Sequence, residues 1–228
     1  MQGVLNEINE NQVLKYLGYR GGQIENQLKE DIARISREVI EKARPSVTFQ
    51  VFGIEWGENP HIAGTNFALL GENIKEMLKD CHQCILMGAT LGMAIEQELR
   101  SRQVQNVYES MIFDSCASSA IENVCDNLCS FIEEKKSESK EFLTDRFSPG
   151  YGDMPFEQQK EICTILRTEK TIGVSLSQSG IMIPRKSVTA VMGISYKEQS
   201  KRFRGCEYCS SFHNCRFRKG GTSCGKVS

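Results

Sequence analysis

Two groups of residues have types and spacings that could do chemistry. The first is the stretch RFSPGYGDMP at 146–155, one arginine followed by two prolines and two glycines that bracket a tyrosine. Pro149 pre-sets its own φ and Gly150 permits a positive one, so the pair fixes a tight, exposed turn that presents its amides and carbonyls. Arg146 at one end offers a planar fork for a carboxylate or phosphate, and Tyr151 offers a ring face with a polar tip. Together they suit a zwitterionic, aromatic small molecule. A plain connector whose arginine makes a salt bridge has the same pattern, and both readings stand on the residues alone.

The second group closes the chain: CEYCSSFHNCRFRKGGTSCGKVS places Cys206, Cys209, Cys215 and Cys224 within nineteen residues. Four thiolates so close suit a tetrahedral structural zinc or a [4Fe–4S] cluster, whose negative charge the neighbouring Arg and Lys would stabilise. The spacing fits neither standard pattern closely, and His213 could replace one ligand. The expectation leans to iron–sulfur. GGTSCGKV at 220–227 nearly fits a phosphate-binding loop, but Val227 stands where the magnesium-binding hydroxyl belongs and no helix can follow. A nucleotide hydrolase is excluded. Cys81 and Cys84 have the spacing of a redox pair, yet they lead directly into the apolar run CILMGA, and burial is the expectation there.

Composition bounds the rest. The 228 residues, 39% apolar and 25% charged, are ordinary for a globular chain and hold no run able to span a bilayer. The N-terminus shows no secretory pattern, so the expected location is the cytoplasm and the expected state of the ten cysteines is reduced or metal-bound. The net charge of −1 hides an asymmetry: residues 197–228 carry eight Lys/Arg against two acids, the remainder 20 against 27. Two units are expected, 1–196 as the main domain and 197–228 as a basic, Cys-rich tail. Its interleaved cysteines and glycines favour a local anionic partner over nucleic acid.

Positioning elements follow from periodicity. Ile24, Leu28, Ile32, Ile35 and Val39 mark an amphipathic helix; SVTFQVFGI after Pro45 and CILMGA at 84–89 read as strands. Residues 107–136 read as one long helix, with Ala117, Ser118, Ser119 and Ala120 permitting close packing. PFEQQKEICTIL reads as helix with Pro155 in its first turn, and GVSLSQSGIMIP and SVTAVMGISY as extended. His61 reads as a loop residue. Without a regular βαβ alternation, the expected class is α+β.

RFSPGYGD resembles the R-x-A-P-G-Y-P signature of the reactivation domain of cobalamin-dependent methionine synthase, the module that binds S-adenosylmethionine (AdoMet). LSQSGIMIPRKSVTAVMGIS looks like that domain's L-T-E-S-x-x-M-x-P-x-x-S-V segment. VLKYLGYRG, LKDCHQCILMGATLG and IFDSCASSAIENVCD look like its stand-alone bacterial form, so the resemblance covers roughly 11–200. It implies a twisted antiparallel sheet with packed helices. It also implies that Arg146 engages the AdoMet carboxylate, that the backbone at Ser148 and Gly150 contacts the ligand, and that Tyr151 packs near it. Ser148 stands where the family often has alanine, a change that backbone contacts survive, and Gly152 replaces the family's proline, which should loosen the turn. The family's acidic residue on the preceding helix falls near Ser130, with Asp126 and Glu122 as the available acids. Met182 and Pro184 match the family, and Met182 reads as core.

The activity implied is reactivation. Cob(I)alamin occasionally loses an electron to give inactive cob(II)alamin, and rescue takes one electron and a methyl group from AdoMet. The protein's task would be positioning, which needs no general base. Lacking homocysteine, folate and cobalamin modules, the chain must act on a separate cobalamin-dependent methionine synthase or other corrinoid protein, with flavodoxin or ferredoxin as reductant. The alternative is an iron–sulfur electron-transfer protein serving a corrinoid enzyme.

Overall fold

A computed structural model describes residues 1–19 and 24–199. The order of elements is α1 (Glu10–Tyr16), α2 (Asn26–Lys42), β1 (Ser46–Trp56), β2 (Pro60–Ile62), α3 (Glu72–Leu78), β3 (Gln83–Thr90), α4 (Met93–Gln105), α5 (Val107–Ser137) and β4 (Phe142–Leu143). A short 3₁₀ turn at Phe156–Gln158 then leads into α6 (Gln159–Leu166), α7 (Thr168–Thr171), β5 (Ser175–Leu176), β6 (Met182–Ile183) and β7 (Ser187–Ser195).

Five strands form one antiparallel sheet in the order β2-β1-β3-β7-β4. Both faces are covered, and the alternation along each strand shows how. Ile85, Met87 and Ala89 of β3 and Ala190, Met192 and Ile194 of β7 face one core with α2, α4 and α5. Cys84, Leu86 and Val191 face a second core with α3 and α6. A strand buried on both sides has no polar face to show, which is why CILMGA is apolar throughout.

Helix α2 falls where the periodic stripe places it, with Ile32, Ile35 and Val39 buried. Helix α5 runs for 31 residues, about 45 Å at 1.5 Å per residue. Its small residues meet α1: Ser119 is fully buried and donates to Gln12 Oε1 at 2.9 Å. The mixed helical and antiparallel architecture is the expected α+β class.

Three local expectations are corrected. His61 lies in β2, opposite Glu55 of β1, with its Nδ1–H donated to the Asn59 carbonyl at 2.9 Å. The segment 173–184 is not one extended run but a two-stranded ribbon of β5 and β6, turned by Ser177–Gly180, where the Ser177 hydroxyl accepts the Ile181 N–H at 3.0 Å. Met182 therefore sits half-buried on that ribbon and not in either core.

Candidate functional site

Residues 142–147 run along the edge of β7. Phe142 and Leu143 pair with Ser195 and Ile194, Thr144 N–H donates to the Gly193 carbonyl at 3.0 Å, and Phe147 exchanges two backbone bonds with Val191. Phe147 points into the second core. Its neighbour Arg146 is directed at helix α5.

There the guanidinium is held at both ends. One nitrogen donates to Glu122 Oε2 at 2.8 Å, the other to Asp126 Oδ1 at 2.7 Å and to the Cys129 sulfur at 3.5 Å. Glu122, Asp126, Cys129 and Glu133 are spaced by four, three and four residues and so share one face of α5. With Arg146, Ser148, Tyr151, Leu143, Thr144, Asp145, Val188 and Gln199 they enclose a cleft of about 470 Å³, within the range of sites for drug-sized ligands.

The electrostatics are strongly local. Burial alone would lower the Arg146 pKa, but the Cys125 and Cys129 thiols and the Asp126 carboxylate outweigh it and raise the pKa above the ordinary arginine value. The guanidinium is permanently charged. Burial pushes the Cys125 thiol up to about 12, and burial likewise raises Cys129, against the lowering influence of Arg146. Tyr16 of α1 has its phenol pKa raised by burial and then by Glu122.

The turn itself is built to hold this wall in place. Gly150 N–H donates to the Met154 carbonyl at 2.9 Å and Tyr151 N–H to the Ser148 carbonyl at 3.0 Å. Tyr151 packs edge-on against Phe147, ring centroids 5.4 Å apart. The carboxylate of Asp153 reaches across to accept the N–H groups of Glu72 (2.7 Å) and Asn73 (3.1 Å), capping α3 in place of a local side chain. Gly152 does not loosen the turn as expected. Its φ is +57°, and a Cβ there would stand 2.6 Å from Asn73 Oδ1 and 3.1 Å from the Phe147 ring. Proline, fixed near −65°, could not take that conformation.

Of the four residues expected at the site, Arg146, Ser148 and Tyr151 line the cleft together. Gly150 is exposed and does not line it; a Cβ there would meet the Phe156 ring at 3.3 Å. Cys129, Glu133 and Asp145 were not anticipated, although the α5 spacing carries a signal for the first two. Cys206, Cys209, Cys215 and Cys224 lie outside the described residues. Among those described, no group of His, Cys, Asp and Glu is arranged to hold a metal, and no helix is long and apolar enough to cross a membrane. Cys81 and Cys84 are buried as expected, the latter raised to about 12 by burial and then by Cys81.

A central antiparallel sheet, helices on both faces and a charged cleft between the 142–151 segment and helix α5 define an α+β domain with a candidate ligand cleft. The chain belongs to the family described as the vitamin B12 dependent methionine synthase activation domain, whose model matches residues 81–207. Among solved structures it resembles a crystal structure of a MetH reactivation domain bound to AdoHcy, with 13% identity and a TM-score of 0.65 over 98% of this chain and 86% of that one. No curated protein matches the chain.

Proposed function

We propose that this chain binds AdoMet in the cleft between α5 and the 142–151 segment and so supports reductive methylation of oxidised cob(II)alamin on a separate cobalamin-dependent methionine synthase or related corrinoid protein. The observation that carries the reading is the Arg146 guanidinium, fixed against two α5 carboxylates at the wall of a cleft that Tyr151 also lines. AdoMet is a zwitterion with an added sulfonium charge. Its carboxylate matches the Arg146 fork, its ammonium and sulfonium match Glu122 and Asp126, and its adenine can lie against the Tyr151 ring.

The residues present fit that ligand. Bound AdoMet would supply the methyl group, leaving as a neutral thioether, while the partner's cobalamin accepts the methyl once a donor such as flavodoxin or ferredoxin has delivered one electron. The chain contributes orientation: an arginine whose charge does not titrate, carboxylates anchored on a long helix, and a turn braced by Asp153 and Phe147. Orientation alone can be worth effective molarities of about 10⁵ M. A four-thiolate metal site at Cys206, Cys209, Cys215 and Cys224, iron–sulfur or zinc, and a boundary near residue 197 belong to the same proposal. So does a cytoplasmic setting, where those thiols stay reduced.

The test uses a methionine synthase deleted of its own activation domain, loaded with cobalamin and oxidised to cob(II)alamin. Adding this protein, AdoMet and titanium(III) citrate should produce the methylcobalamin spectrum. Omission of AdoMet, or Arg146→Ala, should leave the cobalamin unmethylated, as cob(II)alamin or the cob(I)alamin that titanium(III) produces, with no methylcobalamin spectrum.

A further inference from the structure

On the sheet face opposite α5, helix α6, the short α7 and strand β5 enclose a second cavity of about 730 Å³, which shares no lining residue with the Arg146 cleft. Lys160, Arg167 and Lys170 line it against the single acid Glu169. Elsewhere in the fold cations are answered by carboxylates: Arg34, Arg102, Arg146 and Arg185 each pair with at least one Asp or Glu. Among the described residues the side chains of Lys160, Arg167 and Lys170 make no ion pair and donate no hydrogen bond.

Local structure brings these charges together. Lys160, Cys163, Thr164 and Arg167 are spaced by three, one and three residues and so share one face at the end of α6. Arg167 closes that helix with φ +51° and ψ +47°, the left-handed conformation that glycine usually supplies at a helix end. An arginine there carries strain that a glycine would not. The chain then turns into α7, which brings Lys170 to the same wall. Behind the charges the wall is firm. Thr168 is buried, its hydroxyl donates to the Val174 carbonyl at 2.8 Å, and the Val174 N–H returns to the Thr168 carbonyl at 3.1 Å. Val174 and Leu176 add apolar surface beside the cations.

We infer that this cavity is a binding site for a small ligand bearing a phosphate group, the phosphate held among Lys160, Arg167 and Lys170 and a less polar body laid over Val174 and Leu176. Like charges drawn round one hollow repel one another until a counter-charge enters, and a dianion answers two of them at once. The concave shape favours a small molecule over the flat surface of an acidic protein, and the apolar lining favours a phosphate ester over bare phosphate. All three cations are exposed, so each contact is worth a few-fold in affinity and is screened by salt.

The test titrates phenyl phosphate and inorganic phosphate into the full chain by calorimetry at low salt, and repeats both with Arg167→Gly, Arg167→Gly/Lys170→Ala and Arg146→Ala. Phenyl phosphate should bind at one site, about fivefold or more tightly than inorganic phosphate, as partial burial of its ring implies. Arg167→Gly should weaken it by roughly threefold to fivefold and the double variant by roughly tenfold or more. Glycine takes the left-handed conformation freely, so the Tm of Arg167→Gly should be unchanged or raised, which separates lost binding from a lost fold. Equal affinity in the unaltered chain and the double variant, as binding to the basic residues beyond 199 would give, overturns the site, and so does absence of binding. Affinity lost with Arg146→Ala and kept in the double variant overturns it as well, by putting the anion in the other cleft. Equal affinities for the two phosphates overturn the apolar half of the assignment.

Discussion

A guanidinium carries five N–H donors in one plane, and in this cleft one terminal nitrogen of Arg146 engages Glu122 and the other Asp126. A lysine supplies the charge without the fork, so Arg146→Lys can satisfy one carboxylate but not hold both in register. With charge-assisted bonds worth about 1.5–3 kcal/mol each, the variant should weaken AdoMet binding roughly tenfold or more in a calorimetric titration, with little change in thermal stability. Arg146 and Tyr151 were legible because Pro149 and Gly150 mark a turn with those two side chains at its ends, and Ser148 only through the family resemblance. Glu122 and Asp126 entered only through the family resemblance, as the available acids, and Glu133 not at all, since a carboxylate on an exposed helix face looks alike whether it meets water or an arginine twenty residues on. Cys129 gave no signal beyond its helical spacing, as a small apolar residue belongs equally to a core and to a cleft.

At the scale of elements, the turn and helix α3 depend on each other through one carboxylate. Asp153→Ala leaves the Glu72 and Asn73 amides without their acceptor, a loss of about 1 kcal/mol for a capping group. For a chain of this length, differential scanning calorimetry should show Tm lowered by about 2–4 °C. Gly152→Pro restores the residue the family carries but cannot adopt φ +57°, so it should destabilise the fold by about 3 kcal/mol or more, and Gly152→Ala by less. Helix α2 was legible from its apolar period and α5 as one long helix-like run, and strands β1, β3 and β7 as short β-branched or wholly apolar runs. The β5–β6 ribbon was not, because two residues per strand carry no period and Gly180 alone does not say that the chain reverses. His61 in β2 escaped for the same reason, a three-residue strand that begins at Pro60.

At the scale of the whole molecule, the α+β class followed from mixed strands and helices without βαβ alternation, but the two-sided covering of the sheet emerges only when β3 and β7 are each seen to feed both cores. Glu96 ties α4 to Arg185, just before β7. Its carboxylate is 2% exposed, accepts the Arg185 N–H and side chain at 3.0–3.2 Å, and pairs with Arg100 at 3.0 Å. Burial would raise its pKa, but Arg185 and Arg100 outweigh burial and hold it below the ordinary value of 4.5. A depressed carboxylate contributes stability that is complete above its unfolded pKa and is lost as pH falls through the folded one. Stability measured by urea unfolding should therefore drop as pH falls below about 4.5, and Glu96→Gln should flatten that slope while being less stable at pH 7. Proteolysis or hydrogen exchange would place the same loss at the contact between α4 and residues 184–186.

The central claim is that the Arg146 cleft is an AdoMet site, and calorimetric titration of AdoMet into the unaltered protein and into Arg146→Ala tests it most directly. The account predicts saturable one-site binding to the unaltered protein, weakened in the variant by roughly tenfold to a hundredfold as the loss of a charge-assisted fork implies. Equal affinity in the two proteins, or no heat with either in the presence of a cobalamin-loaded methionine synthase, would contradict it.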